Sequence, residues 1–191
     1  MSLDDQVRWD AKYRERKAES QEPSPFLVAM ERMLPKSGRA LDIAGGAGAN
    51  AVWLARRGLE VTLADISPVG LALAERNAEL EGLTLRTLRT DLEQAPFPAG
   101  PWDLMVCVRY LWRPLFAVIP DELAPGGVLV VVHPTRSNLL RHERPSLRHL
   151  LEDGELPGLV HGLDVVHYEE GWTEEGQHDA RLVAKRLDLT G

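Results

Sequence analysis

A single cysteine, Cys107, among 191 residues excludes a disulfide framework and a cysteine-ligated structural zinc. Long hydrophobic runs are missing too. The densest, VLVVV at 128–132, is far short of the ~20 apolar residues a membrane span requires. The first residues, MSLDDQVRWDAKYRERK, are charged throughout, which no secretory signal is, so a cytoplasmic protein is expected. Positive charge is in deficit: 22 bases against 29 acids give a net charge of −7. Such a chain is a poor match for DNA or a membrane surface, although it can still hold a local basic pocket. Lysine is scarce, confined to Lys12, Lys17, Lys36 and Lys185. No internal repeat or low-complexity tract is present.

What remains is an ordinary globular composition, 44% apolar, in a chain long enough to bury roughly 70% of the surface it exposes when unfolded. A charged N-terminal arm (1–37) precedes the core (38–191), and together they are expected to form one domain. The arm holds two helix candidates separated by Ser20–Pro25, the second spanning Phe26–Leu34 before the breakers Pro35 to Gly38. Strand and helix then alternate. Arg39–Ile43 reads as a strand, Asn50–Arg57 as a helix with Gly58 at its stop, and Glu60–Ala64 as a strand. Ser67-Pro68 is an N-cap followed by the residue best tolerated at the first helical position. Thr84–Thr90 is a weaker strand, Asp103–Val108 a strong one, Leu111–Leu123 a helix interrupted by Pro114 and Pro120. Ala124 to Gly127 reads as a turn and Val128–His133 as a buried strand. Alternation of this kind implies an α/β, doubly wound, mostly parallel seven-stranded sheet. Leu163–Tyr168 and Ala180–Leu187 have no room for a helix between them, so an antiparallel hairpin closes the C-terminal end.

The chemistry concentrates at Leu41-Asp42-Ile43-Ala44-Gly45-Gly46-Ala47-Gly48, where the first strand runs into a glycine-rich turn. Ligands of open α/β sheets bind at such strand ends. Gly46-x-Gly48-x-x-Ala51 satisfies the dinucleotide fingerprint, which on its own is weak. Three features disfavour a nicotinamide dinucleotide. Asp42 would repel a pyrophosphate, a second acid (Asp91) follows another strand, and the terminal hairpin is foreign to dinucleotide folds. S-adenosylmethionine, with its sulfonium and ammonium, one carboxylate and no phosphate, suits this layout better.

These motifs resemble those of the class I S-adenosylmethionine-dependent methyltransferases, over roughly Arg39 to Leu187. The first motif is Leu41 to Gly48, with Ala44 in place of the first glycine. Leu63-Ala64-Asp65-Ile66-Ser67, Asp91-Leu92, Trp102 to Val108 and Leu123-Ala124-Pro125-Gly126-Gly127 follow in the family's order. Arg8-Trp9-Asp10-Ala11-Lys12-Tyr13 and Pro23-Ser24-Pro25-Phe26 look most like the small tellurite-resistance-type methyltransferases. The resemblance implies methyl transfer from S-adenosylmethionine to a small molecule, leaving S-adenosylhomocysteine. It assigns the methionine portion to Asp42, Ala44, Gly46 and Gly48, the ribose to Asp65 with Ile66 beside it, and the adenine to Asp91 and Leu92. The arm, with Trp9 and Tyr13 four residues apart, would fold over the donor as a lid and set an aromatic near the sulfonium.

Methyl transfer from a sulfonium is an in-line displacement that needs alignment more than a dedicated base. Arg109 and Tyr110, after the fourth strand, are the candidates for cofactor contact and acceptor positioning. His133, at the end of the fifth, is the candidate general base. Arg136, Arg141, His142, Arg144, Arg148 and His149 form a basic cluster, either a solvated face or a reader of an anionic acceptor. No histidine spacing makes a metal site, and a monomer or homodimer is expected. An NAD(P)-dependent oxidoreductase and a non-catalytic S-adenosylmethionine-binding protein are the competing readings.

Overall fold

The computed structural model describes residues 3–15 and 22–187. Helix α1 is Leu3–Glu15 and α2 is Pro25–Ala29, followed by a 3₁₀ turn at Glu31–Met33. The core runs β1 (Arg39–Ile43), α3 (Ala49–Arg56), β2 (Glu60–Asp65), α4 (Pro68–Leu80), β3 (Arg86–Arg89) and β4 (Trp102–Val108). It continues with α5 (Leu115–Glu122), β5 (Leu123–Pro134), α6 (Leu156–Leu159), β6 (Asp164–Trp172) and β7 (His178–Lys185). The strands form one sheet in the order β3-β2-β1-β4-β5-β7-β6. The first five are parallel, and β7 inserts antiparallel between β5 and β6. The expected parallel sheet with its terminal hairpin is what the chain forms.

Alternation along each strand divides the core into two layers. Leu41, Ile43, Met105, Cys107, Leu129 and Val131 face α5 and α6. Ala40, Leu63, Leu104, Val106, Val130 and Val132 face α2, α3 and α4. Strands apolar on both faces are the pattern of a sheet covered by helices on both sides. The sheet order reverses at β1, from which β2 and β4 depart in opposite directions. That is the switch point where a crevice opens at the carboxyl edge.

Ser67 caps α4 as its sequence predicts: its Oγ accepts the Gly70 N–H at 3.0 Å. The same hydroxyl donates to the Asp10 carboxylate of α1, so one side chain fixes the start of α4 and holds the arm against it.

Four boundaries differ from expectation. Residues 26–34 are not one helix; α2 stops at Ala29. The helix expected over 111–123 starts only at Leu115, since Pro114 occupies its N-cap, and it tolerates Pro120 in its last turn. Strand β5 begins at Leu123, which pairs with Trp102, so Ala124 to Gly127 is a distorted strand segment rather than a free turn. Gly126 makes this possible with φ +73°. The hairpin strands also extend inward, to Trp172 and from His178, because Glu169↔Arg181 and Gly171↔Asp179 pair across them. Tertiary pairing there overrides the low strand preference of Glu169-Glu170-Gly171.

Candidate active site

A cleft of about 590 Å³ opens at the carboxyl edge of β1, β2, β4 and β5. That is the size range of pockets that take drug-sized ligands. Its floor is Ala44, Gly45, Ala47, Asp65, Ile66, Val108, Arg109, Tyr110 and Val132; α1 covers it with Trp9, Lys12 and Tyr13. Pro23 to Phe26 wall one side, pinned by the hydrogen bond from the Ser24 N–H to the Asn50 side chain (2.9 Å). Glu169, Thr173, Glu174, Glu175, Asp179 and Arg181 of the hairpin wall the other.

Asp65 ends β2, and the backbone holds its carboxylate. Oδ2 accepts the Gly46 N–H at 2.9 Å and Oδ1 the Ser67 N–H at 2.8 Å. Burial raises its pKa and these N–H groups oppose the rise. The side chain is thereby fixed at the cleft with lone pairs left for a donor such as a ribose hydroxyl.

The glycine turn is built differently from a simple ligand cradle. Asp42 points beneath it, only 1% exposed, with neither oxygen hydrogen-bonded. A Cβ on Gly45 would lie 2.4 Å from Asp42 Oδ2. Desolvation, aided by the nearby Asp65 charge, pushes the Asp42 carboxyl up to about 7. Gly46 (φ +57°) is covered by Tyr13, whose hydroxyl sits 2.1 Å from where a Cβ would be. Gly48 (φ +84°) serves helix packing, since its Cβ would meet the Ala74 Cβ at 2.6 Å. Ala44 stands with φ +53°, a conformation that costs an L-residue roughly 1–2 kcal/mol. Arg109, exposed at the end of β4, shares it at φ +60°. Both strained residues line the cleft, which is where such strain concentrates.

Of the sequence-derived candidates, the cleft therefore gathers Tyr13, Ala44, Asp65, Ile66, Arg109 and Tyr110. Asp42, Gly46 and Gly48 shape it from behind. Leu92 is buried in the core and Asp91 turns its carboxylate to the Glu93 N–H (3.0 Å); neither lines it. His133 does not line it either. It is 4% exposed, Nε2 lies 2.9 Å from the His149 carbonyl, and Nδ1 is buried without a partner. Desolvation lowers its pKa to about 4, so it is neutral at pH 7 and its Nε2–H donates to that carbonyl. Tyr110 presents a hydroxyl that is buried and unpartnered, its pKa raised by desolvation. The Cys107 thiol is buried and pushed up to about 12, which removes it as a nucleophile.

The basic cluster lies off the cleft. Arg136 pairs with Glu152 at 2.5 Å, Arg141 stacks 3.8 Å from the Trp172 ring centroid, and none of the six lines the cavity. The residues that do line that end, Glu169, Glu175, Asp179 and Arg181, were not singled out by the sequence. With the hairpin strands taken as 163–168 and 180–187, Glu169 to Asp179 falls in a polar loop. The available signal was Asp179-x-Arg181-x-Val183, a period-two continuation of the strand face.

Residues 40–127 match the family model of a methyltransferase domain. The chain is 40% identical over 113 residues to a demethylmenaquinone methyltransferase of Thermus thermophilus, covering 55% of this chain and 50% of that protein. It is 34% identical over 118 residues to a ribosomal RNA small subunit methyltransferase C of Alcanivorax borkumensis, covering 56% and 36%. The chain thus spans half or less of the length of these curated relatives. Among solved structures, one described for the conversion of a disulfide bond into a thioacetal group during echinomycin biosynthesis superposes with TM-score 0.75. It is 18% identical and covers 97% of this chain and 94% of that one. TehB from Haemophilus influenzae superposes at 0.71, 17% identical, covering 93% and 67%. The family match, the sheet order and these likenesses agree: residues 40–127 match a methyltransferase domain, and the chain has the fold of the S-adenosylmethionine-dependent methyltransferases.

Proposed function

We propose that the protein transfers a methyl group from S-adenosylmethionine to a small-molecule acceptor. The observation that carries this is the charge of the cleft: among the described residues, six carboxylates (Glu22, Asp65, Glu169, Glu174, Glu175, Asp179) face three bases (Lys12, Arg109, Arg181). A donor with a sulfonium and an ammonium against one carboxylate is attracted there, whereas a dinucleotide pyrophosphate is repelled. Asp65, held by two N–H groups at the end of β2, is the group to take the ribose hydroxyls. Ile66 and Val108 supply apolar surface to the floor.

When bound, the donor supplies an already activated methyl carbon. The chain's own residues align and enclose. Ala44, Gly45 and Ala47 approach through backbone, Tyr13 and Trp9 exclude water from above, and Arg109 with Tyr110 faces the acceptor. Among the described residues, no side chain lining the cleft is a histidine or cysteine, so an acceptor already nucleophilic or easily deprotonated suits it. Calorimetric titration with S-adenosylmethionine, S-adenosylhomocysteine and NADH in parallel tests the reading. Binding of the two sulfur ligands and not of NADH is expected; binding of NADH alone reverses it. Methyl-labelled donor incubated with a metabolite extract then identifies the product.

A further inference from the structure

Asp179 is the least expected residue at the cleft. It is 4% exposed, lines the cavity, and its Oδ1 is buried without a hydrogen-bond partner. A carboxylate oxygen removed from water and left without a donor forfeits the hydrogen bonds it would otherwise make. The sheet holds it there. Asp179 pairs with Pro134 on β5 and Gly171 on β6, neither of which offers a side-chain donor. Arg181, two residues along the same face, acts on its charge but is turned to Glu169, with Nη1 3.4 Å from Oε1. Arg109 also acts on it from the end of β4. Glu175, in the turn between β6 and β7, faces the same space, so among the described residues carboxylates outnumber bases at this end of the cleft. The basic cluster offered by the sequence as a reader of an anion, Arg136 to His149, lies elsewhere.

We propose that Asp179, seconded by Glu175, is the anchoring site for an ammonium group on the acceptor, so that the substrate is an amine-bearing small molecule rather than an anion. An ammonium supplies an N–H donor that Asp179 Oδ1 lacks and offsets the surplus negative charge, which a carboxylate ligand would increase. The inference rests on the methyltransferase reading of the cleft, and its test separates the two.

The full-length protein is first titrated with S-adenosylhomocysteine; failure of that step overturns the methyltransferase reading itself. The loaded protein is then titrated, with heteronuclear NMR as readout, with benzylamine, benzyl alcohol and benzoate, which share one ring and differ in charge. Benzylamine is expected to bind at least ~3-fold more tightly than benzyl alcohol, with benzoate weakest and shifts centred on residues 173–181. The preference is expected to shrink as salt is raised. Asp179→Asn should abolish it at nearly constant shape. Glu175→Gln, an exposed turn substitution with little bearing on folding, should reduce it. Equal binding of the three ligands, preference for benzoate, no binding of benzylamine, or an amine preference that survives both substitutions overturns the proposal.

Discussion

Two buried titratable side chains set opposing pH dependences. The Asp42 carboxyl rises from 3.8 to about 7, chiefly by desolvation. The folded chain therefore holds a proton there that the unfolded chain has released, and this contribution to stability falls as pH rises between those values. His133 falls from 6.5 to about 4, again by desolvation. The unfolded chain binds that proton first, so this contribution is present above pH 6.5 and is lost as pH falls towards 4. Between about pH 4 and 6.5 the two slopes oppose. Urea unfolding across that window should show Asp42→Asn gaining stability with pH relative to wild type, by up to about 1.4 kcal/mol per pH unit. His133→Gln should show the reverse tilt. Parallel curves for wild type and Asp42→Asn would mean that Asp42 is ionised in the folded protein. Neither tilt is legible in the sequence. Asp42 stands out there as a ligand-side acid and His133 as a base, because motif position locates a strand end but not which face of the sheet the side chain enters.

At the scale of elements, α1 is locked to the core by two side chains. Ser67 Oγ joins Asp10 to the cap of α4, and Tyr13 lies over Gly46 and Gly70, 2.1 and 3.0 Å from where their Cβ atoms would stand. Ser67→Ala removes a cap and a cross-link together, so a loss of about 1–2 kcal/mol is expected. Hydrogen exchange should rise in α1 and in the first turn of α4, while β4 and β5 keep their protection; an unchanged α1 would disprove the link. Gly46→Ala should displace Tyr13 and cost roughly 1–3 kcal/mol, part steric and part from the left-handed backbone. In a Tyr13→Ala background only the backbone part, roughly 1 kcal/mol, should remain. Additive losses would show that the two residues do not touch. The glycines illustrate what a motif conveys: the sequence marks where close approach is required. The approaching groups are Tyr13, Asp42 and Ala74, each from a different part of the chain, and only the fold names them.

For the molecule as a whole, the alternation of strand and helix made the sheet legible, since apolar runs on both faces leave few arrangements. The cleft was half legible. The half built by consecutive motifs, at β1, β2 and β4, follows from the sequence, whereas the half contributed by the hairpin depends on long-range pairing of Glu169, Gly171, Asp179 and Arg181. The cleft is therefore assembled from three separate parts of the chain: the arm, the parallel strand ends and the hairpin. A ligand touching all three can bind only the folded state, and so draws on the stability of the whole. At one hundred times its dissociation constant, S-adenosylhomocysteine should add about 2.7 kcal/mol, a rise in Tm of roughly 5–10 °C for a chain of this size. If the arm is part of the donor site, exchange in α1 should slow along with that in the turn after β1. A rise in Tm with α1 exchange unaltered would place the donor on the sheet edge alone and remove Tyr13 and Trp9 from its site. Asp65→Ala, which frees the Gly46 and Ser67 N–H groups as well as the ligand contact, should abolish most of the ligand-induced rise; retention of the full rise would show that the donor lies elsewhere.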